Sequence, residues 1–217
     1  AALHGAGLSR RELLGSVTGV FLGTSYHDFE RLLYRKVPSS AYAATGGSLA
    51  IASGRLSYIL GMQGPAVSYD TACSAALTAS HAATSALRLG ECESGLVAGV
   101  SLMLLPDVSH SFAVAGMLSA LGRSHTFDRR ADGYARGEAC CAWLLQGGAT
   151  ARRPVASALG SCVRQDGKSA SLTAPNGLAQ QSLLEAALAD AAVVADSLAC
   201  SEAHGTGTSL GDPIEAR

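Results

Sequence analysis

Val67 to Leu77 reads VSYDTACSAAL. A short β-favouring run, Ala66 to Tyr69, enters it, and an alanine-rich helical run leaves it from Ser74 onward. A strand that turns directly into a helix is the building unit of an α/β fold. One cysteine, Cys73, sits on that turn. From position alone it reads as a buried filler, half of a disulfide, a metal ligand, or a nucleophile held at the start of a helix. A thiol at a helix start meets the positive end of the helix dipole and unpaired N–H groups, which is the environment expected to favour a thiolate.

The surroundings narrow the choice. The chain has 217 residues, of which 48% are hydrophobic and 15% charged, a composition that supports a well-buried globular body rather than disorder. The net charge is −1, so no basic field points to nucleic acid. The pairs Arg10–Arg11, Arg129–Arg130 and Arg152–Arg153 are isolated and read as solvated surface. The six cysteines, Cys73, Cys92, Cys140, Cys141, Cys162 and Cys200, contain no CxxC pair, so zinc spacing is absent. Nor does the alanine-rich composition resemble a disulfide-stapled secreted domain. A reducing, intracellular compartment (cytoplasm or plastid) is the expectation. The apolar run Leu96 to Leu105 is too short to span a bilayer.

The periodicity predicts alternating strands and helices. Strands are expected at Val17–Leu22, Ala66–Tyr69, Leu96–Leu105, Ala139–Leu145, Val155–Val163 and Leu198–Ala203. Ser9 with Glu12 forms a capping-box pattern. Helices are expected at Asp28–Tyr34, from a Ser48 cap to Gly61, at Ser74–Leu89, at Ser109–Leu121 and at Leu178–Ala192. The helix after Cys73 is small on every face, so it is expected to be buried all round. Asp212–Pro213 has the pattern of a helix N-cap followed by a first-turn proline. The chain then ends at Arg217, so a fragment of a larger domain is expected. No linker divides it.

A nucleophile needs proton handling or electrostatic help. His81 lies eight residues along the same helix, about 12 Å away, and should not reach Cys73. His4, His27, His110 and His125 lie in polar surroundings and read as structural or exposed. His204 differs because it opens a glycine-rich turn, His204-Gly205-Thr206-Gly207-Thr208. Gly205, Gly207 and Gly211 do not fit the dinucleotide-binding spacing, since the third glycine falls one residue late.

Four segments, DTACSAAL around Cys73, TFDRRADGYARGE from Thr126 to Glu138, QDGKSASLTAPNG from Gln165 to Gly177 and EAHGTGTSLGDPIEA from Glu202 to Ala216, together resemble the β-ketoacyl synthase domains of modular, type I polyketide synthases. The likeness runs from about Leu3 to the last residue. The string SASLTAPNG and the short turn before Pro154 resemble ketosynthases of dinoflagellate algae. The resemblance implies a thiolase-like α/β fold, layered helix–sheet–helix–sheet–helix and here incomplete. Residues 1–217 would be a partial domain, lacking its N-terminal strand and its C-terminal part, and a homodimer when complete.

The resemblance also implies roles. Cys73 would be the acyl-accepting nucleophile, and His204 the first of two histidines that polarise the extender thioester. Thr206 and Thr208 would contact the pantetheine arm. The implied reaction is decarboxylative Claisen condensation of an acyl chain on Cys73 with a malonyl-type thioester. The partner would be an acyl carrier protein, which carries the phosphopantetheine, and the domain itself would bind no metal or redox cofactor. Two alternatives stand beside this: fatty-acid elongation by the same chemistry, and an inactive ketosynthase fragment. Residues 1–217 alone are expected not to condense, because the second histidine of the pair is not among them.

Overall fold

The computed structural model describes residues 1–36, 42–148, 151 and 154–217. The Arg152–Arg153 pair and part of the expected turn at 146–154 lie outside them. The chain divides into two compact units, each drawn from two stretches: Ala1–Leu105 with Gly137–Ala156, and Pro106–Arg136 with Ser157–Arg217.

The first unit is built on a four-stranded sheet. Its strands are β1 (Thr18–Thr24), β2 (Ala66–Tyr69), β3 (Ser94–Ser101) and β4 (Ala139–Gln146), in the order β2-β1-β3-β4. The pairs β1–β2 and β1–β3 are parallel, and β3–β4 is antiparallel. The helices of this unit are α1 (Ala2–Gly5), α2 (Arg10–Leu13), α3 (Asp28–Lys36), α4 (Ala43–Gly46), α5 (Leu49–Leu60) and α6 (Ala75–Arg88).

Side chains alternate across a strand, so Val20 and Phe21 point to opposite faces of β1. Phe21 and Val97 pack with Ala79, Ala83 and Ala86 of α6. Val20 and Leu96 pack with Leu13 and Met62, flanked by Leu56 and Leu60 of α5. The central strand β1 is therefore covered on both sides, as parallel strands of α/β proteins are. Val20 and Val97 have no exposed surface at all.

Several expectations hold closely. Strand β2 has the expected bounds. The capping box is present at α2, with the Ser9 hydroxyl accepting from the Glu12 N–H and the Glu12 carboxylate accepting from the Ser9 N–H. Gly61 closes α5 in the left-handed conformation (φ 72°), but Ser48 makes no side-chain cap bond there.

Others need correction. Strand β3 ends at Ser101 rather than Leu105, because the Leu104 and Leu105 N–H groups leave the ladder and donate to Asp28 Oδ2 (3.1 and 3.0 Å). Strand β1 runs through Gly23 instead of stopping there. Helix α6 buries one face only, Ala75, Ala79, Ala83 and Ala86, and leaves Leu77 73% exposed. Among the described residues, the small residues of α6 serve close approach to the sheet.

That approach is tight. A Cβ on Gly23 would lie 2.4 Å from Ala76 N and 2.5 Å from Ala75 C, both backbone atoms of the first turn of α6. We predict that Gly23→Ala costs about 1–3 kcal/mol or more, the range for overpacking a filled interior. Urea unfolding of the full-length protein checks this, and an unchanged midpoint would contradict the packing described.

The second unit holds α7 (Asp107–Val114), α8 (Gly177–Ala191) and the short α9 (Gly211–Glu215). Helix α7 begins two residues earlier and ends seven earlier than expected. Gly116, left-handed at φ 68°, follows its end, and the Met117 N–H donates to Phe112 O. Asn176 caps α8, its side-chain oxygen accepting from the Ala179 N–H. Leu183, Ala187, Leu188 and Ala191 of α8 are half-buried, while Leu184 is exposed. The expected strands at 155–163 and 198–203 do not form: both segments are irregular and make no ladder among the described residues.

Candidate functional site

Cys73 lies on a single 3-10 turn, Ala72–Ser74, between the end of β2 and the start of α6. Its side chain is exposed, and all six cysteines are free. The disulfide reading of Cys73 therefore fails within residues 1–217, and no residue among those described buries its thiol. Among the described residues no group of three or more His, Cys, Asp or Glu side chains could hold a metal ion. Cys92 is the contrasting case. It is buried, and that burial pushes its thiol up, with Glu91 adding to the shift and a backbone hydrogen bond from Gly19 opposing it.

The turn carrying Cys73 is conformationally unusual. Ala72 has φ 54°, a left-handed conformation that costs an alanine roughly 1–2 kcal/mol. The bonds around it hold it there. The Ala72 N–H donates to Asp70 Oδ1 (3.1 Å), and the Ser74 hydroxyl lies 2.9 Å from both Thr71 O and Thr71 Oγ1. Such strain persists where the surroundings over-determine it, and it clusters at functional sites.

His204, Thr206 and Thr208 belong to the second unit, on one irregular turn. His204 is exposed and the two threonines are half-buried. Gly205 (φ 54°) and Gly207 (φ 75°) adopt left-handed conformations. A Cβ on Gly207 would lie 2.8 Å from His125 N, and one on Gly205 would lie 2.7 Å from Thr126 Cγ2. The glycines therefore let the 125–126 backbone and side chain close on the turn, as their spacing anticipated. The Thr126 hydroxyl donates to Gly205 O, and the Gly133 N–H donates to Gly207 O (3.0 Å). Two of the four sequence segments, TFDRRADGYARGE and EAHGTGTSLGDPIEA, thus fold against each other.

The threonine hydroxyls are partly engaged within the turn. Thr208 Oγ1 accepts from the Gly211 N–H (3.1 Å) and lies 3.3 Å from Thr206 Oγ1.

Asp212 is the residue that sequence reasoning placed wrongly. It is not an N-cap: the helix begins at Gly211, and Asp212 is 4% exposed inside it. Its Oδ1 accepts from the Gly207 and Thr208 N–H groups (3.0 and 3.2 Å), and its Oδ2 from the Phe127 N–H (2.7 Å). One carboxylate therefore ties the turn bearing His204 to the segment that closes on it. Glu215 adds a further tie, its Oε2 accepting from the Gly205 N–H (2.9 Å).

We predict a selective effect for Asp212→Asn. An amide oxygen in place of Oδ1 still serves Gly207 and Thr208, but the amide NH2 then faces the Phe127 N–H donor to donor. Leaving that part-buried donor unpaired costs about 1 kcal/mol, the low end of the range for a buried group. Amide exchange should quicken at Phe127 and stay slower at Gly207 and Thr208. Unchanged protection at Phe127 would contradict the assignment.

A cleft of about 320 Å³ opens in the first unit beside Thr24, Asp28, Arg55 and Leu104. Cys73 is not among its lining residues, and we assign it no part in the chemistry. Asp128 lies outside the turn as well; the fork of Arg130 holds its half-buried carboxyl well below the usual carboxylate range.

Residues 1–151 match the family model described as beta-ketoacyl synthase, N-terminal domain, and residues 155–217 that described as its C-terminal domain. The whole chain is 47% identical to the phenolphthiocerol synthesis polyketide synthase type I Pks15/1 of Mycobacterium bovis, covering 10% of that protein. Over 97% of its length it is 42% identical to erythronolide synthase EryA3 of Saccharopolyspora erythraea, covering 7% of it. Among solved structures, the oxazolomycin ketosynthase domain OzmH KS7 of Streptomyces albus JA3453 superposes with a TM-score of 0.92 at 37% identity, over 99% of this chain and 38% of that one. The ketosynthase from module 6 of the bacillaene synthase of Bacillus subtilis 168 gives 0.89 at 36% identity, over 97% and 37%. The chain spans a tenth or less of the curated relatives compared here, and somewhat over a third of these solved chains.

Proposed function

The chain belongs to the β-ketoacyl synthase family, with a thiolase-like α/β fold, and from that premise we propose that it elongates polyketide chains by decarboxylative Claisen condensation. The observation that carries the reading is the placement of Cys73: an exposed thiol on a strained turn between a parallel strand and the helix that follows it.

Cys73 thiolate attacks the carbonyl of an acyl thioester on the phosphopantetheine arm of an acyl carrier protein. The C–S bond to the arm breaks, and the arm leaves as a thiolate that takes a proton from water. A malonyl thioester follows. His204 donates an N–H to its thioester oxygen as the bond to the carboxylate breaks, carbon dioxide leaves, and the electron pair stays as an enolate. The α-carbon attacks the Cys73 thioester, a carbon–carbon bond forms, and Cys73 thiolate is released. Thr206 and Thr208 flank the arm through the outward sides of their hydroxyls. The protein acts as a homodimer, and the pantetheine belongs to the carrier.

The Mycobacterium bovis relative is a polyketide synthase by name, which supports polyketide rather than fatty-acid assembly. The test is a coupled assay on the full-length protein with acyl and malonyl carrier proteins. Carbon dioxide release matched one to one by β-ketoacyl carrier protein supports the reading. Malonyl turnover without a condensed product contradicts it.

A further inference from the structure

We infer that Thr71, Ser74 and Thr78 form a hydroxyl clamp that aims Cys73, with Thr71 and Thr78 acting as positioning residues for acyl transfer. The inference rests on the reading of Cys73 as the nucleophile.

The three hydroxyls bracket the cysteine. Thr71 Oγ1 lies 2.9 Å from Ser74 Oγ and 3.1 Å from Thr78 Oγ1, and Ser74 Oγ also lies 2.9 Å from Thr71 O. Thr71 stands two residues before Cys73, Ser74 directly after it, and Thr78 within α6.

Two other hydroxyls of the same helix show what Thr78 forgoes. Ser80 donates to Ala76 O (3.1 Å) and Thr84 to Ser80 O (2.9 Å). Both spend their proton on the carbonyl four residues back, the local habit of Ser and Thr in helices. Thr78 instead reaches past the helix start to Thr71, a residue outside the helix and seven positions away.

The backbone between them explains what that contact does. Thr71 has φ −125° and ψ 36°, and Ala72 then turns left-handed at φ 54°. Without a lock the segment would relax toward ordinary dihedrals, and Cys73 would swing with it. The Ala72 N–H bond to Asp70 Oδ1 fixes the entry side. The Thr71–Ser74 and Thr71–Thr78 contacts fix the exit side and join it to the first turns of α6. Because α6 rests on Gly23 and Gly99, the clamp refers the thiol to the sheet.

The test uses the full-length protein and the variants Thr71→Val, Thr78→Val and their double. Valine keeps the branched shape and removes the hydroxyl. Each single variant is expected to slow acylation of Cys73 about tenfold with KM unchanged, a modest part of the about 100-fold that a 1 Å misplacement can cost. The double should lose no more than Thr71→Val alone, because Thr71→Val already removes the contact that Thr78→Val removes, along with the one to Ser74. Thr71→Ser and Thr78→Ser should recover most of the rate, with melting temperatures close to wild type throughout. Wild-type acylation rates in the valine variants would overturn the clamp. So would multiplying losses in the double, or losses that follow a falling melting temperature and are not rescued by serine. A Cys73→Ala control that still accepted acyl groups would instead overturn the nucleophile assignment.

Discussion

Cys73→Ala in the full-length protein is expected to abolish both acyl loading and condensation, a loss on the order of 10⁴-fold or more, since no other group takes the acyl chain. The fold should survive. Cys73 packs into no core cluster of residues 1–217, and cysteine to alanine removes a single sulfur without adding bulk or a new polar group. Decarboxylation need not vanish with it, because enolate formation draws on His204 rather than on the thiol. The expected signature is therefore a well-folded variant that carries no acyl group and makes no β-ketoacyl product. A variant that unfolds would leave loading undecided, but Cys73→Ser, nearly isosteric, offers the same readout with a far poorer nucleophile.

His204→Ala is expected to split the two half-reactions. A donor aimed at a developing oxyanion contributes about 2.7–4 kcal/mol, so malonyl decarboxylation should fall about 100- to 1,000-fold. Acylation of Cys73 should change far less. His204 is exposed on a turn that is held by Asp212 and Glu215 through backbone N–H groups, so its removal leaves those ties intact. Stopped-flow loading and carbon dioxide release, measured separately, check the split. Lost loading with surviving decarboxylation would make His204 the base for Cys73 instead.

What was legible in the sequence was chiefly local. The strand-to-helix turn at Cys73 could be read because Ala66–Tyr69 and the alanine run have opposite propensities on either side of it. The glycines of the His204 turn could be read as sites of close approach, and the structure gives the approaching atoms as His125 N and Thr126 Cγ2. What was hidden depended on partners distant in sequence. Apolar residues from Leu102 to Leu105 look like more strand until Asp28, more than seventy positions away, takes their N–H groups. Segments 155–163 and 198–203 are strand-like in hydrophobicity but poor in β-branched residues. Sheet formation also needs a partner, which neither has among the described residues.

Asp212 illustrates the same limit at the site. Asp before Pro is a sound N-cap pattern, and nothing local says that the carboxylate faces inward to three N–H groups. The hydroxyl clamp was hidden for a related reason. Thr71, Ser74 and Thr78 read as ordinary turn and helix residues until the left-handed Ala72 brings the turn back over the helix start.

The central claim is that one thiol of six receives the acyl chain, and it can be tested directly. Cys140, Cys141 and Cys200 are exposed as well, so a general alkylating agent would not discriminate. The measurement is to load the full-length protein from an acyl carrier protein thioester, digest it under conditions that preserve thioesters, and locate the acyl mass by tandem mass spectrometry. Among the six cysteines of residues 1–217, the account predicts the adduct on Cys73 alone. An adduct on any of the other five cysteines, with Cys73 unmodified, would contradict it.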